Sequence, residues 1–126
     1  MKKSKQWFSV LLFCLSFMLF SFTLNPSNTD QRIERHIIVF KINTVSTYEE
    51  SAKIDTYLQT KDGILASRTN FDNSTYFCYS LKEKNLSQSD FDKWFAELGY
   101  SISCFDKVVE GEGVSITNNE LENCSK

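Results

Sequence analysis

The run His36-Ile37-Ile38-Val39-Phe40-Lys41-Ile42, followed five residues on by Thr47-Tyr48-Glu49-Glu50, decides the fold. The first stretch is β-branched and aromatic, with Ile38, Phe40 and Ile42 on one face and Ile37, Val39 and Lys41 on the other, the period of a strand. The second opens a helix. Thr47-x-x-Glu50 is a capping box, in which the Thr oxygen accepts the Glu50 amide and the Glu carboxylate reaches back to the Thr47 amide. Behind it Ala52, Ile54, Tyr57 and Leu58 make one apolar stripe, which predicts a helix over 48–60. Asp62-Gly63 stops it, as a glycine past a C-terminus does.

Outward from this β-α unit the pattern repeats with variation. Ile64 to Phe71 reads as a strand whose polar and small residues (Ala66, Ser67, Arg68, Thr69, Asn70) suit an edge position. Asp72-Asn73-Ser74 is a turn, and Thr75 to Leu81 is apolar on both faces, hence central. A second helix is expected over 88–98, with Ser87 or Ser89 as its cap, Phe91, Trp94, Phe95 and Leu98 on its buried stripe, and Gly99 ending it. Tyr100 to Val109 supplies the last strand. The order βαββαβ in about 75 residues is that of an α+β ferredoxin-like sandwich: an antiparallel sheet in the order 4-1-3-2 with two helices on one face.

The segments on either side are of other kinds. Trp7 to Leu24 is apolar except for Ser9, Ser16, Ser21 and Thr23 and follows Lys2, Lys3 and Lys5, so residues 1–24 read as an export signal peptide or an N-terminal membrane anchor. Residues 7–24 are thus the expected membrane contact, with the domain periplasmic or otherwise outside the cytoplasm. Residues 25–35 form a polar linker, 36–110 the folded domain, and 111–126 a polar tail expected to be disordered. Beyond residue 25 the chain carries 11 basic and 16 acidic residues, which argues against a nucleic-acid surface, since that needs a basic face. With one His and four Gly, neither a Ser-His-Asp arrangement nor a phosphate-cradling loop can be assembled, so no enzyme is expected.

Over residues 36–109 the chain resembles a heavy-metal-associated domain, the module of copper chaperones and metal-pumping ATPases. Ile42, Ile54, Leu58, Gly63-Ile64 and Gly99-Tyr100 stand at that family's spacings. The resemblance implies a Val-x-Gly-Met-x-Cys-x-x-Cys loop entering the first helix, and there the match ends. Thr44 stands for the Gly, Val45 for the Met, and Thr47 and Glu50 for the two Cys. Two thiolates at a helix N-terminus hold Cu(I); a hydroxyl and a carboxylate do not replace them. Thr47 and Glu50 are therefore expected to be a structural helix cap, and no cofactor is expected.

Any relocated metal site has Cys78, Cys104 and Glu50 as its candidates. If Phe77 and Tyr79 face the helices, Cys78 lies on the open face of the sheet with Ile37, Val39 and Tyr76. Registration on Gly99-Tyr100 sends Ile102 and Cys104 toward the helices. That facing keeps the two thiols apart and leaves Cys124 to pair with Cys78 or with another molecule. His36, at a strand start, is expected to be solvated. The function expected is a non-catalytic interaction module binding a protein partner, or itself, through Ile37, Val39, Tyr76 and Cys78. The alternative is binding or trafficking of a metal ion such as Zn(II) through non-standard ligands.

Overall fold

The computed structural model describes residues 32–113 and 116–124. The expectations for residues 1–24 and for most of the 25–35 linker lie outside the described residues. Strand β1 (Arg35–Ile42) leads to helix α1 (Tyr48–Leu58), strands β2 (Ile64–Asn70) and β3 (Thr75–Leu81), a 3-10 turn at Lys82–Lys84, helix α2 (Gln88–Glu97), strand β4 (Ile102–Val109) and a short helix α3 (Asn118–Asn123). The sheet runs β2-β3-β1-β4 with every neighbouring pair antiparallel, which is the order 4-1-3-2 of the ferredoxin-like sandwich.

The core forms where β1 and β3 meet the two helices. Ile38, Phe40 and Ile42 are buried with Ile54 and Leu58 of α1 and with Phe91 and Phe95 of α2. Phe40 is its centre: its ring lies 4.8 Å from Tyr76, 5.1 Å from Phe95, 5.3 Å from Phe91 and 6.0 Å from Phe105. Such pairs contribute about 0.5–1.5 kcal/mol each beyond their buried area, a large share of the stability of so small a domain. Gly63 closes the turn after α1 at φ +90°, and a Cβ there would come within 2.8 Å of the Lys84 side chain.

β2 is polar for two reasons. It is an edge strand, and two of its polar side chains are used. The Asp55 carboxylate on α1 accepts from Ser67 Oγ (3.1 Å), Thr69 Oγ1 (2.8 Å) and the Thr69 amide (3.1 Å), pinning the helix to that edge.

The facing of β3 differs from the sequence expectation. Tyr76, Cys78 and Ser80 are fully buried, whereas Phe77 and Tyr79 are partly exposed. The register explains it, because Cys78 pairs with Ile38 and Tyr76 with Phe40, and directly opposed residues share a face. Tyr76 and Cys78 therefore leave the open face, and Phe77 and Tyr79 join Ile37 and Val39 there. A strand apolar on both sides carries no alternation from which to read this.

Cys104 differs too. Phe40 stands opposite both Cys104 and Phe105, a β-bulge that shifts the register between Val39 and Lys41. Cys104 takes a left-handed backbone (φ 58°), and parity changes across it. Ile102 faces the helices opposite Ile42, yet Asp106 and Val108, opposite Val39 and Ile37, lie on the open face.

Residues 111–126 were expected to be disordered; among those described, α3 is a folded helix. It carries its own capping box, Thr117 with Glu120, and buries Leu121. Cys124 is joined to Cys104 by a disulfide with the Cα atoms 6.1 Å apart.

Candidate functional site

The loop into α1 is shaped by one carboxylate. Glu50 Oε2 accepts from the Ser46 amide (2.9 Å), the Thr47 amide (3.0 Å), Thr47 Oγ1 (3.2 Å) and Ser46 Oγ (3.4 Å), while the Glu50 amide donates to Thr47 Oγ1 (3.2 Å). These bonds, the Ser46 amide foremost, hold the carboxyl below its ordinary range, so it is charged at neutral pH. Tyr100 lies beside it, its phenol pushed up by burial and then by the Glu50 charge. Thr44 holds φ 68°, a conformation glycine adopts freely and a β-branched residue does not. Val45 is buried beneath the loop, and its carbonyl accepts the Ser74 hydroxyl at 2.7 Å.

This donor set does not fit a soft monovalent ion. The loop has no thiolate, and its carboxylate is engaged by the Ser46 and Thr47 amides and hydroxyls. The cysteine candidates do not converge on it. Cys78 is 0% exposed, and burial pushes its thiol up to about 12, so it stays protonated. Cys104 is bonded to Cys124. Among the described residues no three His, Cys, Asp or Glu side chains gather as a metal site.

His36 is 7% exposed rather than solvated. It stands opposite Ser80 on the helix side of the sheet, with its Nδ1 and the Ser80 Oγ unpaired among the described residues. Burial, then the charges of Lys107 and Lys82, holds its imidazole below the ordinary value.

The open face offers the second locus. Ile37, Val39, Phe77 and Tyr79 form its centre, with Arg68 directly opposite Phe77 and Ala66 opposite Tyr79. Phe77 and Tyr79 meet edge to face at 5.0 Å, and the Arg35 guanidinium sits 4.9 Å above the Tyr79 ring while paired with Glu110 through both ends of the carboxylate (2.7 and 2.9 Å). Partly exposed aromatics bracketed by arginines have the composition of contact surfaces.

Sequence reasoning placed Ile37 and Val39 on this face and missed Phe77 and Tyr79. The signal for α3 was available, since Thr117-x-x-Glu120 repeats the spacing of Thr47-x-x-Glu50.

No protein-family model matches the chain, and no curated protein matches it. Two solved structures are similar. One is a CopZ metallochaperone, 13% identical, with a TM-score of 0.48 over 53% of this chain and 98% of the other. The second is the N-terminal domain of a potential copper-translocating P-type ATPase from Bacillus subtilis in its Cu(I)-loaded state, 22% identical, with a TM-score of 0.49 over 55% of this chain and 85% of the other. The architecture described above rests on strand order and pairing rather than on these likenesses.

Proposed function

We propose that residues 35–124 are a non-catalytic binding module, exported or tethered to a membrane, whose α1 loop serves as a helix cap instead of a metal loop. Its contact surface is the β2–β3 side of the open sheet face, centred on Phe77 and Tyr79 with Arg68 and Ile37 beside them. The observation that carries this reading is the edge-to-face pair Phe77–Tyr79, partly exposed on the side of the sheet away from α1 and α2. A lone exposed apolar residue means little, but a contiguous aromatic patch marks a contact. The partner is a protein surface, a second copy of this chain included. Export is supported by the apolar run 7–24 and by a disulfide of a kind that is rare in reducing compartments. Metal trafficking is not favoured, because Glu50, Cys78 and Cys104 are each engaged or buried.

The test is site-specific photo-cross-linking in cells producing the full chain. A benzophenone side chain at Phe77 is expected to capture a protein; one at Tyr48, 69% exposed on α1, is expected to capture none. Capture from Tyr48 alone, or from neither position, would overturn the proposal.

A further inference from the structure

The chain after β4 turns back along β4 on the open side of the sheet. Gly113 lies against Val108, where a Cβ would meet the Val108 side chain at 3.4 Å. Two residues nearer the start of β4, the Asp106 carboxylate accepts the Ile116 amide at 2.9 Å. Two further back, Cys104 is bonded to Cys124. The contacts thus step through 108, 106 and 104 as the chain advances through 113, 116 and 124.

Burial agrees with that path. Leu121 is 1% exposed and Val39 8% exposed, and neither belongs to the cluster under α1 and α2. Val39 is the β1 residue opposite Asp106, so the returning segment lies over the β1–β4 side of the open face.

From this geometry we infer that Ile116–Cys124 is a redox-locked strap: its disulfide holds the β1–β4 side of the open face covered, and reduction releases it to enlarge the contact surface. The inference rests on the reading of that face as the binding site and adds its regulation. Among the described residues, what holds the strap besides the disulfide is one buried leucine, one amide–carboxylate bond and a helix of 6 residues, far below the length at which an isolated helix is stable. Both cysteines are partly exposed, within reach of a reductant.

The chemistry is thiol–disulfide exchange with a dithiol. One reductant thiolate attacks a sulfur of the Cys104–Cys124 bond and forms a mixed disulfide, and the other cysteine leaves as a thiolate. The second reductant thiolate then closes the reductant's own disulfide and releases the remaining cysteine. Two electrons pass to the protein, and both thiolates take protons from water. Val39 and Val108 then become available beside Ile37, Phe77 and Tyr79.

The test compares oxidised full-length protein in detergent micelles with the same sample treated with dithiothreitol, and with an untreated Cys124→Ser variant. NMR-detected amide exchange of Ile116, Glu120 and Leu121 is expected to accelerate on the order of 100-fold in both open forms, since closing a 20-residue loop disfavours the open strap by about that factor. The amides of β3 are expected to be unchanged. Equal protection of the strap in all three samples would overturn the inference, as would loss of protection in β3 along with it, or free alkylation of Cys104 and Cys124 in the untreated protein. None of these readouts needs a partner. An open strap with no cross-linking from Phe77 would defeat the binding-site reading alone, and a fixed strap with strong cross-linking from Phe77 would defeat this inference alone.

Discussion

Exchanging Cys78 and its neighbour Phe77 for aspartate, one at a time, separates the two sides of β3. The Cys78 side chain is fully enclosed between the sheet and the helices, opposite Ile38. A carboxylate there lies among apolar core side chains, and the effective penalty for burying an unpaired charge is several kcal/mol. Fitting a larger group into a filled core adds about 1–3 kcal/mol. Against a total of roughly 5–13 kcal/mol for a domain of this size, Cys78→Asp leaves it marginal or unfolded.

Phe77→Asp loses about 1.5–2 kcal/mol of apolar contact from a partly exposed ring. It places the new carboxylate directly opposite Arg68, and a cross-strand pair of opposite charges returns about 0.2–1 kcal/mol. The net cost is about 1 kcal/mol. With a urea slope near 1 kcal/mol/M, Phe77→Asp should lower the unfolding midpoint by about 1 M, and Cys78→Asp by about 3 M or more. Far-UV circular dichroism in a urea series reads both. The opposite ranking would refute the facing argued here and restore the one in which Phe77 and Tyr79 are core.

Three further expectations follow from single residues. His36 is the chain's only histidine, and its imidazole is held below the ordinary 6.5 by burial and by Lys107 and Lys82. The unfolded chain therefore takes up that proton first, so stability is full above about pH 6.5 and falls as pH drops through the lowered folded value. His36→Gln should flatten the melting temperature between pH 7.5 and 5, and a slope unchanged in the variant would contradict this. Thr44→Gly should stabilise the domain by about 0.5–1 kcal/mol, because glycine holds φ 68° without the steric cost of a β-branched residue; a lower urea midpoint would tell against the loop geometry. Asp55→Asn should cost about 1.5–3 kcal/mol by breaking charge-assisted bonds to Ser67 and Thr69, and should speed amide exchange at Thr69 before any other part of the sheet.

What the sequence discloses is what local patterns encode. β1 alternates, and so its two faces were readable. Thr47 and Glu50 were readable as a cap from their spacing, and Gly63 and Gly99 as stops; with four strands and two helices in that order, the sheet order followed. The failures lie where parity depends on contacts between distant strands. Thr75–Leu81 is apolar on both sides, and only its pairing with β1 turns Tyr76 and Cys78 inward. One extra residue in β4, opposite Phe40, reverses the parity of the strand beyond Cys104, and no composition signals it. The strap was missed for another reason. Its polar residues look like a tail, and its one buried side chain, Leu121, is too little to mark a helix. The repeated Thr-x-x-Glu spacing was the signal available.

The central claim of the proposal is that the α1 loop serves as a helix cap and not as a metal site. Titration of the disulfide-intact full chain with chelator-buffered Cu(I), and separately with Zn(II), tests it most directly, with Glu50→Gln and Cys78→Ser variants alongside. The account predicts no equivalent bound more tightly than about micromolar by any of the three proteins. One equivalent bound at nanomolar affinity and lost on Glu50→Gln or Cys78→Ser would contradict it, and would return the loop or the core thiol to metal chemistry.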